Sequence, residues 1–444
     1  MINKNYIKPK LSTFLFVTFL SNLIIYLVQF YYFKESAEYF LCTTLINYDT
    51  SIFSRQLNLI YPESCDLKVY AEGITNFLSF YNIEEYVYLD RPVFIFYIFF
   101  FYTILNFILS SLSFSTLAII KGSFFVGQLL LTGLVSILLF RILSNYKLIS
   151  GREVYILPVF VSLSPMFKWH IFESTSMTFT FLIFLLGIYI CLDEENLNLN
   201  TYLLASGLLF LIHRSSLLIL VLFFAYKLYK KEFNKKIFYN SIFFFIPIFL
   251  YYISIFLFSN YSDHQAQGYR QFIWIIDYLQ GKETMTNEYF CQSPLLAINC
   301  YFKDLINLFY YLAIPSIFSF SYIALKFKKF SEEIKNIIFT AILFTAIINF
   351  FWLFIGWYPP IRFSYYGYGN LIIFLLIYIY FSMEVSSARA LFLIAYFFYF
   401  ITLNHWNNPE IIIYTSFIRI AILFFVSSLL MEFTSSRQKY LSSD

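Results

Sequence analysis

Four short strings hold the residues of this chain best suited to chemistry. Asp66 and Tyr70 stand four apart in Cys65-Asp66-Leu67-Lys68-Val69-Tyr70-Ala71-Glu72, a spacing that puts both on one face of a helical turn. Further on, Leu89-Asp90-Arg91-Pro92-Val93-Phe94 opens a long apolar run, with proline suited to a first helical turn. Ser164-Pro165-Met166-Phe167-Lys168-Trp169-His170-Ile171-Phe172-Glu173-Ser174 brings Lys168, His170 and Glu173 together, and Leu211-Ile212-His213-Arg214-Ser215-Ser216 interrupts an apolar stretch with an ionisable pair. A further turn, Trp357-Tyr358-Pro359-Pro360-Ile361-Arg362-Phe363-Ser364-Tyr365-Tyr366, sets one arginine among aromatics. A carboxylate can take the proton from an incoming hydroxyl, and arginine grips phosphate oxygens through two parallel hydrogen bonds. One acid beside several cations therefore suits a phosphate-linked donor and a hydroxyl acceptor.

The elements that position these strings follow from composition. Of the 444 residues, 60% are hydrophobic and only 13% charged, with a mean hydropathy of +0.70. Soluble domains carry about 25% charged residues, so most of this chain has no surface to offer water. The same numbers exclude disorder, and a net charge of +4 over this length makes no basic face for nucleic acid. The expected fold is all-α: a polytopic transmembrane bundle of about 12–14 membrane segments, one integral membrane domain over 1–444. Phe 60 and Tyr 40, against Gly 12 and Pro 11, read as lipid-facing bulk rather than a cofactor box.

Orientation follows the basic residues. Lys4, Lys8 and Lys10, then Arg141, Lys147 and Arg152, then Lys227, Lys230, Lys231, Lys235 and Lys236, then Lys326, Lys328, Lys329 and Lys335, and finally Arg437 and Lys439 can all face the cytoplasm. Both termini are then cytoplasmic and loops 34–92 and 259–304 lie outside, as in a bacterial inner membrane. That parity requires 93–122 to make no net crossing, either as a re-entrant segment or as a hairpin in which 113–122 is a short second arm; Ser110-Ser111 and Lys121 mark the break. The N-terminal apolar stretch reads as a retained first helix. Most acids of loop 34–92 are its solvated face. His213 and Arg214 are either a pathway lining at bilayer depth or a short turn reaching the interface.

Cys42 and Cys65 share the first outer loop and Cys291 and Cys300 the second, which favours two disulfides over apolar filler; Cys191 falls within a helix. No metal-ligand spacing is present and no cofactor is required; a divalent cation is left open.

The order of the strings resembles the GT-C superfamily, multi-pass glycosyltransferases that use polyprenyl-phosphate- or polyprenyl-diphosphate-linked sugars. Asp66, Tyr70 and Arg91-Pro92 look like that family's first outer loop and its return to the membrane. Pro165 with Glu173, Ala205-Ser206-Gly207 running to His213-Arg214, and Arg362-Phe363-Ser364-Tyr365 look like its later landmarks. The likeness spans roughly residues 1–380. The chain departs from the family in lacking an adjacent Asp-Asp or Asp-Glu pair in the first loop, which argues against a metal-dependent version, and a C-terminal soluble domain.

The resemblance implies inverting transfer of a sugar at the outer face. Asp66 would be the general base, with Asp90 in reserve. Arg91, Arg214 and Arg362 would neutralise the departing phosphate, and Glu173 would position acceptor or sugar. Tyr70, Lys168, His170, His213 and Tyr365 would complete the binding surface. Partners would be a lipid-linked donor, a glycan, lipid or protein acceptor, and membrane lipids.

Two other readings compete. A surface-polysaccharide polymerase or ligase would place its essential groups in 259–304, with His264, Arg270 and Asp277. A lipid or glycan transporter would show inverted repeats and midplane charges; no repeat is found, and Arg419 in the last helix is the one residue that favours it.

Overall fold

The computed structural model describes residues 10–33, 73–75, 77, 91–146, 148–149, 151–169, 178–192, 198–258, 280, 312–355, 365–402 and 416–441. Among these residues there are helices and turns but no strand. Four helices are long and apolar enough to cross a membrane, Pro92–Leu112, Ala118–Asn145, Lys235–Ser254 and Glu332–Phe351, alongside shorter apolar ones. The helices named here are α1 (Leu11–Phe33), α2 (Pro92–Leu109), α3 (Thr116–Asn145), α4 (Leu157–Leu163), α5 (Pro165–Trp169), α6 (Phe179–Leu192), α7 (Leu199–Phe210), α8 (Leu217–Tyr229), α9 (Lys235–Phe258), α10 (Ala313–Lys326), α11 (Glu332–Ile355), α12 (Asn370–Ser382), α13 (Ser386–Thr402) and α14 (Ser416–Leu441). Cys191 lies buried in α6.

The chain divides into two compact units, one of Leu11–Leu138 with Met166–Gly268, the other of Met1–Lys10, Leu139–Pro165 and Tyr269–Asp444. In the first unit, α2 leaves Arg91 with Pro92 at its first position and ends in a 3-10 turn, Ser110–Leu112, closed by Ser113 at φ 62. The chain then folds back along α3. The Tyr97 hydroxyl donates to the Gly127 carbonyl at 2.6 Å, and a Cβ at Gly127 would lie 3.1 Å from Tyr97 and from Ile98. α1 also runs antiparallel to α3: Thr132 Oγ1 donates to Asn22 Oδ1 at 3.3 Å, while Tyr26 meets Phe125 edge-on at 5.4 Å.

This corrects the expected topology of 93–122. The break falls at 110–115 as the serine pair suggests, but there is no short second arm. Residues 116–145 form one continuous helix, with Lys121 inside it. The small polar residues do not stop it because their hydroxyls bond back into the helix: Ser123 Oγ donates to Ile119 O at 2.7 Å, and Thr132 Oγ1 to Gln128 O at 2.8 Å. The apolar run 153–167 is shorter in structure than in sequence. Its helix stops at Leu163, where Ser164 turns extended (ψ 142) ahead of Pro165, since a residue before proline avoids the α region.

α7 and α9 pack at Gly207. A Cβ there would collide with the Phe244 carbonyl oxygen and lie 2.7 Å from Pro247 Cγ. Pro247 sits inside α9, where its missing N–H interrupts the helix's hydrogen-bond ladder beside Gly207. Gly207→Ala should therefore destabilise by about 1–3 kcal/mol through overpacking, despite alanine's better helix propensity. A thermal unfolding midpoint at or above that of the parent would contradict this packing.

In the second unit α13 and α14 pair through aromatic rings, with Phe392 and Phe425 centred 5.5 Å apart. The 3-10 turn Gly151–Ile156 and α4 dock beside α13: Tyr396 donates to Phe160 O at 2.9 Å, and Arg389 pairs with Glu153 at 2.8 Å.

Candidate functional site

Within the first unit, two of the ionisable strings meet. α7 ends at Phe210, and Leu211–His213 turn the chain into a 3-10 segment, Arg214–Ser216, that packs against α6. Phe179, at the head of α6, lies edge-on to Phe94 and Tyr97 of α2, with ring centroids 6.2 and 5.5 Å away. Phe94 is one turn from Arg91, whose carbonyl accepts its N–H at 3.1 Å. The aromatic contacts thus carry the α2 N-terminus to the His213–Arg214 turn.

The turn is held rigidly. His213 caps the 3-10 segment: its Nδ1 accepts the Ser215 N–H at 3.3 Å and lies 2.6 Å from Ser215 Oγ. Ser216 Oγ donates back to Ser206 O at 2.5 Å, tying the turn to α7. Nδ1 is an acceptor, so the neutral ring carries its proton on Nε2.

His213 is 4% exposed, and burial, followed by the charges of Arg91 and then Arg214, holds its pKa well below the ordinary histidine value. Both arginines thus bear on one imidazole, although they stand 123 positions apart in sequence. Both are half-buried. The charges of Arg91 and Arg214 both disfavour a proton on this imidazole. The pair stands in a turn between α7 and α8.

The depressed pKa has a consequence for stability. The unfolded imidazole titrates near 6.5 and takes up its proton before the folded one does. The contribution is therefore complete above about pH 6.5 and is lost as pH falls, by about 1.4 kcal/mol for one pH unit below that value. His213→Gln should flatten the fall in unfolding midpoint between about pH 7.5 and about pH 5.5; an unchanged slope would count against a buried neutral imidazole.

Lys168 lies on α5 with its side chain 0% exposed, and burial lowers its pKa well below the ordinary lysine range. The neighbouring Phe167 carbonyl accepts from Gln128 Nε2 of α3 at 3.3 Å. The short α5 is thereby pinned to the helix wall, which draws Lys168 inward. Arg419 is exposed on the first turn of α14, so it lines no buried path there.

Asp66, Tyr70, Asp90, His170, Glu173 and Arg362 lie outside the described residues, as do Cys42, Cys65, Cys291, Cys300, His264, Arg270 and Asp277. Tyr365 opens a π-helical turn, Tyr365–Gly369, in the second unit. Among the described residues no group of three or more His, Cys, Asp or Glu side chains could hold a metal ion. Sequence reasoning missed Ser215 and Gln128, which position the site without facing solvent. The signals were present: a hydroxyl two residues after His213, and an amide within an apolar helix. No family model, no curated protein and no solved structure matches the chain.

Proposed function

We propose that the chain is a polytopic membrane glycosyltransferase of about 12–14 spans, moving a sugar from a polyprenyl-phosphate or -diphosphate carrier to a hydroxyl acceptor at the outer face. The observation that supports this reading is that the α2 N-terminus, with Arg91, is joined through Phe94 and Phe179 to α6, against which the buried His213–Arg214 turn packs. In this mechanism Asp66 takes the proton of the acceptor hydroxyl, and that oxygen attacks the anomeric carbon from the face opposite the carrier. The carbon–oxygen bond to phosphate breaks, and the electron pair leaves on the phosphate. Arg91 and Arg214 neutralise the developing charge while His213 Nε2–H donates a hydrogen bond, a preorganised stabilisation of the departing anion. Lys168 and Tyr70 border the donor, Glu173 and His170 the acceptor, and Asp90 is the reserve base. Arg362 and Tyr365 are carried over from the family resemblance.

The test is transfer from labelled polyprenyl-phosphate sugars in membranes holding the full chain. Label should pass to endogenous acceptor with the parent protein and not with Asp66→Asn. Transfer undiminished in Asp66→Asn but abolished in Arg270→Ala would move the activity to 259–304 and favour a polymerase.

A further inference from the structure

The second unit contains a group of buried polar atoms that the transfer chemistry does not use. Asn370, at the first position of α12, is 1% exposed, and neither its amide oxygen nor its amide nitrogen has a hydrogen-bond partner. Ser319 of α10, 0% exposed, and the Oδ1 of Asn349 on α11 are likewise unpartnered. These elements meet around the π turn. Tyr368 donates to Ser316 Oγ of α10 at 2.7 Å, one helical turn before Ser319. Thr345 Oγ1 of α11 lies 3.5 Å from the Gly367 carbonyl. A Cβ at Gly367 would stand 3.0 Å from Asn349 Oδ1, so the missing side chain keeps room beside that oxygen. Asn370 follows the π turn directly and opens α12.

Buried polar groups in native proteins are nearly always satisfied, so several unmet on elements that pack together point to an occupant. The donor and acceptor balance identifies its chemistry. A bare cation would bind the oxygens and leave the Asn370 N–H groups unmet. An anion would do the reverse. A hydroxyl group donates and accepts at once and answers both. π turns are also frequent at functional sites.

From this we infer that the junction of α10, α11 and the start of α12 is a binding site for neutral hydroxyl groups, supplied by a sugar or by ordered water. It rests on residues separate from the arginine–histidine patch and stands whether or not the transferase reading does.

The experiment is radiolytic hydroxyl-radical footprinting of the full-length protein in micelles, in isotopically labelled water. Hydroxyl occupancy predicts that peptides covering 341–351 and 367–373 are oxidised several-fold faster than the equally buried 374–381. Gly367→Ala and Asn370→Leu should each bring that rate down to the 374–381 level. Glucose is added as the probe, with rates normalised to an exposed peptide in the same sample. Selective protection of 341–351 and 367–373 assigns the site to sugar hydroxyls, and its absence assigns it to water. If the parent shows no excess oxidation and Asn370→Leu unfolds at a higher temperature, the junction is dry and the proposal is overturned.

Discussion

Arg91→Ala is expected to lower the rate of sugar transfer by about 10²–10³-fold, the usual consequence of removing one preorganised donor from a developing anion. Arg214→Ala should cost a similar factor. The two losses should not multiply, because both guanidinium groups act on His213 and residues that work as a unit are non-additive. Arg91→Lys should recover only part of the rate: it keeps the charge and loses the planar two-point grip on phosphate. Neither change should abolish folding, since Arg91 and Arg214 are half-buried at helix ends and the turn is held by Ser215 and Ser216. The measurement is the initial rate with a labelled polyprenyl-phosphate sugar, corrected for protein level. A rate within about twofold of the parent for Arg91→Ala would remove the phosphate role from the patch.

Glu432→Ala should cost about 3–5 kcal/mol of stability, the range for breaking one side of a buried ion pair. The Glu432 carboxylate is 0% exposed. It accepts from Lys326 Nζ at 3.0 Å, from the Glu384 N–H at 3.1 and 3.2 Å and from the Val385 N–H at 3.1 Å. It therefore joins α10, the α12–α13 turn and α14 in one contact. Alanine would strand a buried ammonium, leaving it Glu384 at 4.0 Å as an acidic neighbour among the described residues, together with two backbone donors. Glu432→Gln should lose less, because its amide oxygen still accepts. Adding Lys326→Met to Glu432→Ala should recover part of the loss, since the stranded charge is then gone. Chemical unfolding in micelles would read all three; a Glu432→Ala protein within about 1 kcal/mol of the parent would show the network to be dispensable.

Hydropathy and proline placement made much of the helical framework legible. Pro92 starts α2 where the Arg-Pro string says, and Ser110–Ser115 ends it. The continuity of α3 was not legible, because Lys121, Gly122 and Ser123 look like a break until their backbone and side-chain bonds are seen.

Composition by itself determined that the chain is helical and rich in membrane-length segments, because apolar content and self-satisfied backbone are local properties summed along a sequence. It also marked Arg91, His213 and Arg214 as unusual, since each adjoins an apolar run. Only the tertiary structure decided that these three act on one another and that Glu432 meets Lys326. Proximity between residues more than a hundred positions apart depends on how helices cross, and crossing is set by contacts such as Gly207 against Phe244, which no single segment encodes.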